Sequence, residues 1–245
     1  MNDLIDFSIL WSLARRTFSQ YMKSPVAYVV AIFFYGFLGA IFGGNFFVTN
    51  QASIDGVGQL APWVLWFVVP ALTMSLLSEE LRLGTFESLA TLPVRDSEIV
   101  LGKFLGFALL ALVLVGGLLF YPILISFVTL NRNGIDWGGT FGILAALYGL
   151  ILFYGAMGLF ASSLARNQVV ALIIGMIFCT IFFMIGLFFT LFPGFLGMFA
   201  DFLGVNSHVT SLSRGVIDIR DVFYFASMST IFLYLTIQKL TTRRF

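Results

Sequence analysis

The sequence predicts an all-α, polytopic membrane protein, and three observations carry that prediction. Hydrophobic residues fill 60% of the 245 positions and charged residues only 10%, where a soluble domain carries about 25% charged. That is too little charge to coat a soluble globule. Six charge-free apolar runs approach the about 20 residues that a helix needs to cross a bilayer. Basic residues also divide unequally between alternate connections. This composition excludes a soluble enzyme, and a net charge of +1 argues against a nucleic-acid partner. The single cysteine, Cys179, lies inside an apolar run and offers neither a disulfide nor a thiolate cluster.

Residues 1–25 precede the first run. Phe7, Leu10/Trp11, Ala14, Phe18 and Tyr21/Met22 recur every three to four residues, with Ser12, Arg15/Arg16, Ser19 and Lys23 opposite. The pattern predicts an amphipathic elbow helix in the cytoplasmic interface, its basic side toward lipid phosphates, with Trp11, Arg15, Arg16 and Phe18 as its marker residues. A plain membrane anchor and a helix that also touches a partner both fit. No cleavable signal peptide is expected, because polar and amphipathic residues precede the first apolar run.

Residues 26–245 form the six-span domain, with runs at Val26–Val48, Leu60–Leu77, Phe104–Leu130, Phe141–Leu164, Val169–Phe192 and Val222–Ile237. The third and fifth are long enough to tilt. Pro70 and Pro122 each remove a backbone bond and should kink the second and third spans. One side holds ten basic residues: Arg15, Arg16, Lys23, Arg82, Arg95, Lys103, Arg166, Lys239, Arg243 and Arg244. The other holds three, Arg132, Arg214 and Arg220. Both termini are therefore expected in the cytoplasm. Two connections are long, a cytoplasmic one over roughly Ser78–Lys103 and an external one over about 193–221.

The missing chemistry is informative. No run contains Asp, Glu, Lys, Arg or His, so no midplane site for a coupling ion, proton relay or voltage sensor is evident. The one histidine, His208, lies externally near Ser207, Ser211 and Ser213, and reads as an ordinary interfacial residue without metal partners. An intramembrane enzyme is disfavoured. The methionines are scattered, as packing residues are. Gly36, Gly39, Gly43, Gly44, Gly102, Gly106, Gly149, Gly155 and Gly158 permit close helix contact, within the chain or between subunits.

The cytoplasmic stretch from Ser78 to Pro93 is the most distinctive. Leu83, Phe86 and Leu89/Ala90 share a helical face, while Glu79, Glu80 and Arg82 crowd its start and Pro93 limits its end. A helix over about 79–92 could wedge into a cleft on a soluble protein, and a solvated loop helix fits equally.

The pattern Ser78, Glu79, Glu80, then Gly84-Thr85, Glu87, Leu89 and Pro93, continuing to Gly102-Lys103, resembles the type 2 class of ATP-binding-cassette (ABC) exporter permeases. Within that class the chain is similar to the gliding-motility-associated, GldF-like subgroup. The likeness runs through Ser24–Val30, Ala61-Pro62-Trp63, Pro70–Met74, Asn167–Ala171 and Ser213–Val222. Leu81 departs from it, standing where the subgroup often has a basic residue.

The resemblance implies six spans, a cytoplasmic coupling helix moved by an ATPase, and a partly re-entrant external segment. It assigns coupling to Glu79, Glu80, Arg82, Gly84, Thr85 and Glu87, and marks Arg214, Gly215, Asp218, Arg220 and Asp221 in the external segment. It also implies two ABC ATPase subunits, a second permease of the same or another chain, and the bacterial cytoplasmic (inner) membrane. No phosphate-binding loop is present, so ATP and Mg would be held by the ATPase chain. The expected activity is export of an unidentified, hydrophobic or lipid-like substrate, without an enzymatic site in this chain. A non-transporting, ATPase-linked scaffold of an envelope or gliding machine is the alternative.

Overall fold

The computed structural model describes residues 6–49, 55–85, 94–128, 137–188, 194, 197–198, 202–213 and 218–242, and all of its regular structure is helical. Ten helices are described: α1 (Phe7–Lys23), α2 (Pro25–Thr49), α3 (Asp55–Thr73), α4 (Ser75–Leu83), α5 (Asp96–Gly117), α6 (Phe120–Val128), α7 (Trp137–Leu164), α8 (Gln168–Phe188), α9 (Val205–Ser213) and α10 (Ile219–Thr241).

Local chemistry fixes the helix ends. Asp6 caps α1 by accepting from the Ser8 amide at 3.0 Å and the Ser8 hydroxyl at 2.8 Å. Pro25 opens α2, at the position where its missing N–H costs nothing. Asp218 caps α10 by accepting from the Arg220 amide at 2.9 Å.

Among the described residues, five helical stretches are long and apolar enough to cross a membrane: Pro25–Gly44, Gly56–Leu83, Asp96–Leu124, Trp137–Leu164 and Gln168–Gly186. The sixth expected span corresponds to α10. Its 23 residues reach about 34 Å at 1.5 Å per residue, but Ser, Thr and Tyr dilute its apolarity. The helices also overrun the charge-free runs. Asp96, Glu98 and Lys103 lie within α5, and Asp221 lies in the first turn of α10, all buried. Limits drawn from absence of charge alone missed ionisable groups that the fold buries.

The long helix α7 is the central post. It carries no charged residue, and its Leu147, Leu150, Phe153, Tyr154 and Met157 are wholly buried. Phe153 meets Phe182, Tyr224, Phe225 and Phe232 at ring-centroid distances of 5.3–6.4 Å. Gly149 admits Phe225, Gly155 admits Phe107 and Gly158 admits Thr73. The outer helix α2 inserts Phe34, Leu38 and Phe42 and leaves Tyr28, Val29, Ile32 and Phe33 exposed. At Gly36, Gly43 and Gly44 of α2 an added Cβ would meet nothing within 4 Å.

The amphipathic helix α1 departs from a purely interfacial role. Leu10, Ala14, Thr17 and Tyr21 are buried, and α1 packs along the first half of α5. Glycines permit this: a Cβ on Gly102 would lie 2.6 Å from Leu13 Cβ, and one on Gly106 would lie 2.7 Å from the Ala14 carbonyl oxygen. Phe7, Trp11, Arg15 and Arg16 remain exposed and Phe18 is half-buried.

Both expected proline distortions coincide with helix breaks. Pro122 has no N–H for the Leu118 carbonyl, and the Tyr121 amide takes that oxygen at 3.2 Å; α5 ends and α6 begins across this point. Pro70 lies in the last turn of α3, just before the break at Met74.

Candidate functional site: a pinned helix break beside a charged cleft

The break between α3 and α4 frees backbone groups, and three other helices satisfy them. From α1, the buried Tyr21 hydroxyl donates to the Leu72 carbonyl at 2.8 Å; burial pushes the Tyr21 phenol well above its ordinary pKa. From α7, the Ser162 hydroxyl accepts from the amides of Leu77 (3.0 Å) and Ser78 (2.9 Å) and donates to the Met74 carbonyl at 2.9 Å. A hydroxyl thus sits inside the helical ladder, a recognised cause of a bend. The Ser78 hydroxyl also donates to the Met74 carbonyl. From α5, the Lys103 ammonium donates to the Leu76 carbonyl at 2.6 Å and pairs with Glu80 Oε1 at 2.7 Å.

That ion pair is largely dry, the Lys103 and Glu80 side chains being 7% and 20% exposed. Lys103 answers a local electrostatic problem. Glu79 and Glu80 lie near the C-terminus of α4, where the helix dipole disfavours anions; the ammonium offsets this for Glu80. The second Glu80 oxygen, Oε2, is buried and has no hydrogen-bond partner among the described residues. The Glu98 carboxylate ties the same region to α1, accepting from the Asp6 amide and the Arg95 amide, each at 3.0 Å.

Beside the break lies a cleft of about 810 Å³ between α1, the start of α2, α4 and α5. Arg16, Gln20, Glu79, Glu80, Lys103 and Gln168 supply its polar wall. Leu72, Leu76 and Val26 supply part of the apolar one.

The helix expected over about 79–92 is interrupted. Glu79, Glu80 and Arg82 belong to the end of α4, which is continuous in direction of sequence with the second span and stops at Leu83. Gly84 adopts φ 70°, a left-handed value that glycine reaches without a Cβ penalty. Thr85 follows, its hydroxyl 3.5 Å from the Glu80 carbonyl. The distinctive motif is therefore a helix stop followed by a new segment. Glu87 and the rest of that segment, to residue 93, lie outside the described residues.

At the opposite end of the bundle, the external markers separate. Arg214, Gly215 and most of 193–201 lie outside the described residues; Asp218 caps α10, Arg220 is exposed and Asp221 is buried. His208 is more than an interfacial residue. Its Nδ1 is 2.6 Å from Asp221 Oδ1 and its Nε2 is 3.0 Å from the Phe202 carbonyl oxygen. The ring stacks on Tyr224 at 3.9 Å.

Sequence reasoning missed Tyr21, Ser162 and Lys103 as partners of the break, and the His208–Asp221 pair. Only the position of Lys103, at the edge of an apolar run beside Gly102, signalled anything.

Apolar spanning helices around a buried post, with polar groups gathered at the bundle ends, define a multi-pass α-helical membrane protein. Residues 9–203 match the ABC-2 type transporter family, and the chain belongs to it. It is a transmembrane component of an ABC transporter, of a family that works with ABC ATPase partners and has no ATPase site of its own. No curated protein is detectably similar to the chain in sequence.

Proposed function

We propose that this chain is one of two permease units of an ABC exporter in the bacterial inner membrane, with both termini cytoplasmic. In this reading α4 and the segment through residue 93 receive the movement of a separate ATPase, which holds ATP and Mg. The observation that carries the proposal is the pinned break. Helix α4 is joined to α5 and α7 at its first turns, Tyr21 of α1 holds Leu72 just before the break, and α4 stops at Leu83, ahead of the Gly84-Thr85 of the family-like motif. A push on the segment after Gly84 would reach α5 and α7 directly, and α1 through the end of α3, by a few polar contacts.

The motif residues then take distinct roles. Glu80 is internal, holding Lys103; Glu79 lines the cleft, and Arg82, Gly84 and Thr85 are exposed toward a partner, with Glu87 beyond them. The charge-free α7 and α8 suit a hydrophobic or lipid-like cargo. The GldF-like stretches support a gliding-associated system with two ATPase copies and a second permease.

The test is recovery of the ATPase with the membrane-purified chain. Arg82→Glu and Glu87→Arg place wrong-sign charges at a docked surface, where like-charge juxtaposition costs several kcal/mol, and should lose the ATPase or its stimulation. Arg166→Glu should be milder. Wild-type recovery and stimulation in both motif variants would remove this mechanism. Cargo-dependent ATP turnover in vesicles separates an exporter from an ATPase-linked scaffold.

A further inference from the structure

Both ring nitrogens of His208 face acceptors. Nδ1 meets the Asp221 carboxylate at 2.6 Å and Nε2 meets the Phe202 carbonyl oxygen at 3.0 Å. A carbonyl oxygen never donates, so Nε2 must carry a proton. The short Nδ1–Oδ1 contact requires a second proton between the two groups; without it, a nitrogen lone pair would face a carboxylate oxygen. The pair therefore holds two protons and is neutral overall, whether written as imidazolium with carboxylate or imidazole with carboxylic acid.

From this geometry we infer a proton-binding site at the end of the bundle opposite Lys103, whose occupancy latches α9 and the preceding turn to α10. Both residues are buried, so loss of one proton leaves a net negative charge in a site poorly reached by water, an arrangement that is costly. The latch also has a second point. The Tyr224 ring stacks on His208 while its hydroxyl donates to the Leu203 carbonyl at 2.6 Å. Residues 202–208 are thus held to α10 through two side chains.

On α9 no other residue is ionisable; on α7 and α8 the ionisable groups are Tyr148, Tyr154 and Cys179. Asp55 begins α3, and Asp218, Arg220, Asp221 and Tyr224 lie on the first turns of α10. Nothing on these elements duplicates the His208–Asp221 pair. Neither His208 nor Asp221 takes part in the proposed ATPase coupling.

The chain's single histidine makes the test clean. Using the full chain in nanodiscs, purified without a histidine tag in the Cys179→Ser background, a cysteine at buried Val209 reports opening of α9. Its labelling rate is normalised to Met198→Cys, which is exposed, because thiol reactivity itself rises with pH. As pH is raised we expect normalised labelling to rise at least tenfold when the proton is lost. The double variant His208→Gln/Asp221→Asn, which leaves no titratable group at the pair, should abolish the dependence while helicity is retained. Histidine ¹⁵N spectra of the chain without added cysteines should show Nε2 protonated at low pH. Flat labelling across the pH series, or a pH dependence that survives in the double variant His208→Gln/Asp221→Asn, would overturn the latch; unprotonated Nε2 at low pH would overturn the site itself.

Discussion

Replacing Lys103 with Met should destabilise the protein more than any exposed charge change. Lys103 Nζ holds Glu80 Oε1 at 2.7 Å and the Leu76 carbonyl at 2.6 Å. Removing one member of a buried pair costs about 3–5 kcal/mol, because the other is left uncompensated, whereas exposed pairs are worth about 0–1. Glu80 is 20% exposed, so some solvent reaches it, and we expect about 2–4 kcal/mol. The measurement is equilibrium unfolding in mixed micelles under an SDS gradient. Glu80→Gln keeps the shape and removes the charge, leaving Lys103 with the Leu76 carbonyl, and should cost less than Lys103→Met. The double variant Lys103→Met/Glu80→Gln should recover stability relative to Lys103→Met, giving a coupling energy above about 0.5 kcal/mol, the level at which independent sites usually add. Additivity of the two single substitutions, or a Lys103→Met effect below about 0.5 kcal/mol, would refute the claim that this ion pair pins α4.

Further outcomes follow from the same contacts. Ser162→Ala leaves the Leu77 amide without its 3.0 Å partner and should cost about 1–3 kcal/mol in the same unfolding assay, with little effect from Ser163→Ala, whose hydroxyl donates to its own helix at Phe160. Gly106→Val drives a side chain against the Ala14 carbonyl and should cost about 1–3 kcal/mol as overpacking, seen as faster proteolysis at Arg15 and Arg16. The Asp6 pKa is lowered, first by the Ser8 side-chain hydrogen bond and then by the Ser8 amide. Its cap contributes above the ordinary carboxylate pKa of ~3.9 and is lost as pH falls through the lowered folded value. Intrinsic-rate-corrected hydrogen exchange at Ser8 should therefore accelerate on acidification, and Asp6→Ala should remove that dependence.

The helical class and the spanning segments were legible because apolar run length reports directly on a bilayer-crossing helix. Run edges were less legible. Absence of charge ended the third span's prediction at Phe104, whereas α5 continues back to Asp96 by burying Asp96, Glu98 and Lys103. A lysine can enter a helix bundle when a carboxylate from another helix meets it, and that partner, Glu80, is too distant in sequence to be assigned from one chain. The same limit hid His208–Asp221. The small residues show the converse. Gly102, Gly106, Gly149, Gly155 and Gly158 serve contacts within this chain, a choice that spacing had left open. The α1 stripe was visible, but periodicity reports which face is apolar, and cannot separate a lipid from α5 as what covers it.

The site's energetics explain why a break near the end of a span suits a moving part better than the post beside it. Shifting α7 would reopen close contacts of Gly149, Gly155 and Gly158 and unpack Phe153 from four other aromatic rings. Dense cores resist such displacement because lost dispersion contacts have no replacement. At the α3–α4 break the bonds from Tyr21 and Ser162 are local and polar, each worth about 0.5–1.5 kcal/mol net, and water in the adjoining cleft can replace them as they open. Lys103 is the stronger restraint, but its donors can rotate between Glu80 and the Leu76 carbonyl. A displacement of α4 therefore exchanges a few hydrogen bonds, whereas one of α7 would empty part of the core. That difference favours α4 over α7 as the element that would yield under the proposed ATPase coupling.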